Sequence, residues 1–425
     1  MRLNADNSLG RVSSPWLFVP TLYFAEGIPY VIINNVSVIF YKQLGVDNVR
    51  IAFWTSFLYL PWVLKILWGP LVDGYATKRK WTIYTQLAMA VCLFSLAFSF
   101  QLSSFFLVSL IILAVGAFIS ATHDIAADGF YMLALEQDAQ AFFVGIRSTF
   151  YRLATIFASG IVVFLAGQLE LNLGDIALSW TMAIAVAAFI FTTIVVFHWL
   201  VLPTPTSDAE QKISVRAIIS FYNRTVKSYF SQPKILVVLA FILFYRFGEG
   251  MLVKISAPFL LDEAAAGGLG LSTSDVGLVY GTVGTFALVI GGVVGGILIA
   301  QFELKKTIWW MAVALNLPNL FYVYMAYAQP TVKLVYLLVA LEQFGYGLGM
   351  AAYSVYLIYI AREEYKTSHF AISTGIMALG MMLPGSIGGY IQQAWGYPIF
   401  FVLVCLLSIP GMLTLLFIPF SYTKV

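Results

Sequence analysis

The chain has 425 residues, of which 61% are hydrophobic and only 10% charged, where soluble domains run at about 45–50% and about 25%. Apolar stretches of bilayer-crossing length recur throughout, which excludes a soluble enzyme on a single anchor and marks an all-α, polytopic membrane protein. The net charge of +3 says less than the positions of the charges; no nucleic-acid partner is expected, and Cys92 and Cys405 lie in apolar runs without disulfide or metal-ligand spacing.

The first fourteen residues are polar and lack the apolar core of a signal peptide. Twelve spans follow, at 16–41, 51–72, 81–101, 105–135, 142–168, 178–202, 235–260, 275–301, 307–328, 332–361, 369–393 and 397–420. With the N-terminus in the cytoplasm, fifteen lysines and arginines collect on that side, Lys78, Arg79, Lys80, Lys305 and Lys306 among them. The other side has only Lys42, Arg50 and Lys333. The positive-inside rule therefore puts both termini in the cytoplasm.

The longest polar connection, 203–233, is basic and partly amphipathic, which orientation and lipid headgroup contact are enough to explain. It separates two six-span halves, 16–202 and 234–420, flanked by short cytoplasmic segments at 1–15 and 421–425. The halves echo each other, as in a duplicated transporter. Span 1 carries Tyr23-Phe-Ala-Glu26-Gly27 and span 7 carries Tyr245-Arg-Phe-Gly-Glu249-Gly250, each Glu-Gly near mid-bilayer.

Charge inside a membrane is costly and usually lines a pathway. The intramembrane acids are Glu26, Asp124, Asp128, Glu249 and Glu342; the bases are Lys65, Arg147, Arg152, Arg246 and Lys254. Asp124 and Asp128 are four apart and share a helical face with Ser120. They stand at a depth where Arg147, Arg152 and Lys65 can meet them. Asp124 is open between a fixed ion pair and a proton or substrate site. Glu26 is the leading proton carrier, with Asp124 and Glu342 beside it. Arg246 and Glu249, three apart, are expected to pair, while Arg152 has no acid at helical spacing and is free to meet an anionic solute. His123 reads as a hydrogen-bonding residue that can also border the cavity, and His198 and His369 as interfacial. Tyr23, Tyr30, Trp62, Tyr245, Tyr346 and Tyr353 are aromatic cavity candidates, flat rings with polar tips that suit a sugar or peptide face. The glycine pairs at 291–292, 295–296 and 388–389 read as close helix packing.

Three stretches carry a resemblance. They are Tyr23-Phe-Ala-Glu-Gly-Ile-Pro29, then Leu64-Lys65-Ile-Leu-Trp68-Gly-Pro70-Leu-Val-Asp73 with Trp81 to Gln86, and Ala121-Thr-His-Asp124-Ile-Ala-Ala-Asp128-Gly129. Together they resemble the branch of the major facilitator superfamily that holds AmpG muropeptide permeases and acetyl-coenzyme A transporters. Gly69 to Lys80 is similar to the superfamily's loop signature, with Thr77 where an arginine is usual and His123 where the branch has glutamine. The resemblance implies a twelve-helix fold of two pseudo-symmetric halves and a cytoplasmic gate of Gly69, Asp73, Lys78, Arg79, Lys80, Asp128 and Arg147. It further implies proton-coupled import of muropeptides by a monomer in the inner membrane, with no cofactor and no resident metal. Acetyl-coenzyme A, a sugar or a siderophore are the alternative solutes, and a membrane-embedded acyltransferase is the rival class. The chain has no Walker-type loop for ATP.

Overall fold

The computed structural model describes residues 14–74, 76–205, 215–361 and 366–420, and its described segments form twelve spans in two six-helix halves. Span 1 runs Pro15–Val31, widens into a π turn at Ile32–Val36 and ends in Ser37–Gln43. Span 2 is broken: Asn48–Phe57, Leu60–Leu64, a tight turn at Lys65–Leu67, then Gly69–Gly74. Pro61 sits in the first turn of the second piece, where its missing N–H costs nothing. Spans 3, 4 and 6 are regular, at Lys78–Ser99, Phe105–Ala134 and Ile176–Val201. Span 5 joins Gln137–Thr155 through the π turn Ile156–Val162 to Val163–Leu173.

In the second half, span 7 (Ile235–Phe244, Phe247–Leu261) breaks at Tyr245 and Arg246, and span 8 (Thr273–Val276, Thr285–Phe302) carries a π turn at Gly277–Gly284. Span 9 is Leu304–Asn316 and Leu320–Ala328, and span 10 is Val332–Tyr359. Spans 11 and 12 form one run, Lys366–Thr414, turned at Gly396, whose φ of 72° favours glycine. The helix Val215–Phe230 links the halves.

Span 4 shows why its helix sits as it does. Leu107, Ile111, Val115 and Phe118 recur at helical spacing and are exposed, an apolar face for lipid, while Ser109, Leu113, Gly116, Ser120 and Ala127 are buried. Glycines set the closest crossings. A Cβ on Gly281 would collide with the Ser159 carbonyl, so the π turns of spans 5 and 8 cross backbone on backbone, and one on Gly291 would collide with the Phe344 carbonyl of span 10.

The halves join mainly at the end that carries Lys42 and Asp262, opposite the basic end of Lys78–Lys80 and Lys305–Lys306. Lys42 Nζ pairs with Asp262 at 2.6 Å and reaches Asn48 Oδ1 at 2.9 Å. Asn48 donates to Tyr397 OH and Gln392 Oε1, both at 2.9 Å, and Tyr397 donates back to Asp262 at 2.5 Å. The ring is closed and ties spans 1 and 2 to spans 7, 11 and 12. A second bridge runs from Thr273 to Glu170 (3.0 Å) and from Gln168 to Ser274 (3.1 Å).

Candidate functional site: a buried charge network between the halves

In the first half the acids lie in two steps along span 4. Asp124 forms an ion pair with Lys65, which the tight turn of span 2 brings to it, and neighbours the Glu26 carboxyl of span 1. Gly27 lets span 1 approach this closely, since a Cβ there would stand 2.7 Å from Ala154 Cβ of span 5. Trp68 Nε1 donates to Thr122 Oγ1 at 3.1 Å and holds span 2 to span 4. One turn on, Asp128 accepts from Tyr23 OH at 2.8 Å and pairs with Arg147 at 3.1 Å. The guanidinium stands 4.5 Å from the Tyr23 ring centroid and 5.2 Å from that of Tyr131. Glu26 Oε2 is buried without a partner. Glu26 and Asp124 are neighbouring carboxyls of spans 1 and 4, and a hydrogen bond between two carboxyl groups needs one proton between them.

The sequence brought Asp124 and Asp128 to Arg147, Arg152 and Lys65 as a group; the structure gives each acid its own base and leaves Arg152 outside. Tyr23, expected at the cavity, is committed to Asp128. The basic loop is also partitioned. Lys78 is buried with its stem against Gly129, and Thr77 Oγ1 caps span 3 by accepting from the Lys80 N–H at 3.2 Å. Arg79 donates to the Leu202 and Trp199 carbonyls at 2.9 and 3.0 Å, closing the end of span 6. Gly69 lies against Ile125, the Lys80 side chain is exposed, and the Asp73 side chain lies outside the described residues.

Between the halves is an aromatic and cationic layer. Tyr30 meets Trp62 edge-on at 5.0 Å and faces Tyr151 at 6.2 Å. Across from them Arg246 donates to Tyr346 OH, while its Nε is buried and unpartnered. Arg152 is exposed, makes no ion pair among the described residues and lies within electrostatic reach of Tyr151 and Tyr346. Deeper in the second half Glu249 and Glu342 are both buried; Glu342 accepts from Gln343 at 3.0 Å and Glu249 Oε2 has no partner.

Three expectations are corrected here. Arg246 and Glu249 do not form an ion pair: Arg246 has φ −115° and ψ 20°, so span 7 breaks there and the three-residue spacing no longer sets the two on one face. Tyr245 and Tyr353 lie in the core of the second half, stacked at 4.8 Å, their hydroxyls donating to the Gly349 and Ile242 carbonyls at 3.1 and 2.8 Å. His123 points into helix packing instead of the cavity, and His198, in the last turn of span 6, is fully buried. Gln86 joins them, at 3.0 Å from His123 Nε2 and 2.9 Å from His198 Nδ1, and His198 Nε2 reaches Thr21 at 2.9 Å. This chain locks spans 1, 3, 4 and 6. A hydrophobic reading of span 3 hides it, and Gln86 is the one polar signal that points to it. Gln86→Leu strands two buried imidazoles and is expected to lower stability by roughly 2–5 kcal/mol, read as a fall in thermal midpoint; an unchanged midpoint overturns the assignment.

Twelve spans in two halves, joined at one end and enclosing charges and aromatic rings, define a membrane transporter. The chain belongs to the Major Facilitator Superfamily, whose description matches residues 21–253. It is similar to the putative transporter AmpG 4 of Rickettsia conorii, 22% identical over 93% of this chain and 94% of that one. It is also similar to the anhydromuropeptide permease of Escherichia coli strain K12, 24% identical over 95% of this chain and 80% of that protein. Among solved structures, the xylose transporter XylE from E. coli in an inward-open conformation matches with a TM-score of 0.69 at 12% identity, covering 96% of this chain and 97% of that one.

Proposed function

We propose that this transporter imports muropeptides together with protons, with its basic end in the cytoplasm. The observation that carries the coupling is the placement of the Glu26 and Asp124 carboxyls side by side next to Lys65. A proton arriving from the opposite side neutralises this pair. Its neutral form tolerates occlusion in a closed bundle, and the charged form requires water. Loss of the proton towards the basic end restores the charge and resets the carrier.

The solute class is supported by the likeness to a protein named an anhydromuropeptide permease and by the chamber itself. Tyr30, Trp62, Tyr151 and Tyr346 offer flat faces to sugar rings, and Arg246 and Arg152 offer cations to peptide carboxylates. With the Lys42–Asp262 ring closed, the halves are joined at the end opposite the basic one. Glu342 and Glu249 are a second candidate pair for protons.

Uptake of labelled GlcNAc-anhydro-MurNAc peptide into proteoliposomes tests this reading. Accumulation stimulated by an inward proton gradient is expected. Uptake indifferent to the gradient overturns the coupling, and no uptake by folded protein overturns the solute.

A further inference from the structure

Lys254 of span 7 is 1% exposed, and no carboxylate pairs with it among the described residues. A buried ammonium is tolerated only where its N–H groups are taken up. Here the acceptors belong to the other half: Nζ donates to the main-chain carbonyls of Asn34 and Thr55, both at 3.2 Å, and stands 4.8 Å from the Tyr59 ring centroid.

Both carbonyls lie where their helices are irregular. Asn34 lies inside the π turn of span 1. Beyond Thr55 the chain tightens, so the Tyr59 N–H bonds to Ser56 O at 3.1 Å and leaves the Thr55 carbonyl without its regular partner four residues on. Space for the lysine stem comes from span 11. A Cβ on Gly385 would stand 3.3 Å from Lys254 Cγ, and 2.6 Å from Ser56 Oγ and 2.9 Å from the Gly250 carbonyl. Three departures from regular packing, on spans 1, 2 and 11, thus converge on one side chain of span 7.

We infer that Lys254 is the positioning residue that seals the chamber from the opposite side: its ammonium bridges the halves only while that side is closed and passes into water when that side opens. Separation of spans 1 and 2 from span 7 breaks both bonds at once, since donor and acceptors are on different halves. The π turn of span 1 and the break in span 2 hold the two acceptors and are the receiving part of the seal. The Lys42–Asp262 ring lies beyond it at the surface, and Lys254 is the inner member of the closure. The inference rests on the reading that the two halves alternate access, and it is independent of solute and of protons.

Two measurements on the full chain test it. The first places spin labels on cysteines introduced at Ser103 and Glu263, one per half at the opposite end, with Cys92 and Cys405 replaced. Lys254→Gln is expected to shift the ratio of open to closed distances about tenfold towards open, the equivalent of one hydrogen bond to a charged group, and Lys254→Arg to return it towards the parent. An unchanged distribution in folded Lys254→Gln, or a shift towards closed, overturns the inference. The second keeps the native lysine and follows its modification by an amine reagent in nanodiscs, site by site by mass spectrometry. Modification at a rate insensitive to low denaturant is expected, because native opening exposes the group. Modification only on unfolding overturns the inference. Neither readout involves transport, so failure here and failure of the muropeptide reading are told apart.

Discussion

Glu26→Gln is expected to uncouple the carrier: accumulation driven by an inward proton gradient falls to the level seen without one, while exchange of labelled for unlabelled solute continues. The substitution keeps the shape, and an amide N–H can donate to Asp124 as a protonated carboxyl does. It removes only the ability to lose the proton. For one proton per solute, each pH unit across the membrane is worth about tenfold in accumulation ratio, or about 1.4 kcal/mol, and that factor is what disappears. The bundle has no reason to unfold, since Glu26 Oε2 already lacks a partner. The check is paired proteoliposome assays, uptake with and without the gradient and counterflow at equal pH. Gradient-driven accumulation at the parent level in Glu26→Gln removes Glu26 from the coupling. Loss of both uptake and counterflow makes it a solute-binding or structural residue instead.

The parts of this site that the sequence discloses are those that repeat on a regular helix. Asp124 and Asp128 sit four apart on an unbroken span 4, so their shared face and their depth are legible, as is the mid-span place of Glu26 beside Gly27. The twelve spans are legible from apolar length alone. What stays hidden is set by irregular backbone. The break at Tyr245 and Arg246 turns Arg246 from Glu249 to Tyr346, and the tight turn at Lys65–Leu67 turns Lys65 towards Asp124. No residue in the π turns of spans 1, 5 and 8 announces them, because Ile, Val, Asn and Gly serve equally in ordinary membrane helices. Helix rotation is hidden too. Tyr245 and Tyr346 have the same chemistry, yet one packs in the core and the other meets Arg246, a choice made by neighbouring helices.

The pairing of Lys65 with Asp124 predicts the second large effect. Lys65→Met leaves a carboxylate beside Glu26 with no cation opposite, and Asp124→Asn leaves an ammonium facing an amide. Removing one partner of a fully buried pair costs about 3–5 kcal/mol, and the partial exposure here, 30% for Lys65 and 18% for Asp124, reduces that through solvent screening. Each single variant is therefore expected to melt below the parent. The Lys65→Met/Asp124→Asn double variant is expected to recover part of the loss, with a coupling of about 1–3 kcal/mol in a double-mutant cycle. Transport should not follow stability. Uptake by either Asp124 variant is expected to fall by about a hundredfold or more, because the acceptor of the Glu26 proton is gone whether or not Lys65 is compensated, and at about 1.4 kcal/mol per tenfold that is the loss of about two charged hydrogen bonds. The separation of the two readouts is the test. Strictly additive melting effects show that the pair is not coupled. Uptake restored along with stability in the double variant makes Asp124 a fixed counter-ion, and the proton then belongs to Glu26 without it.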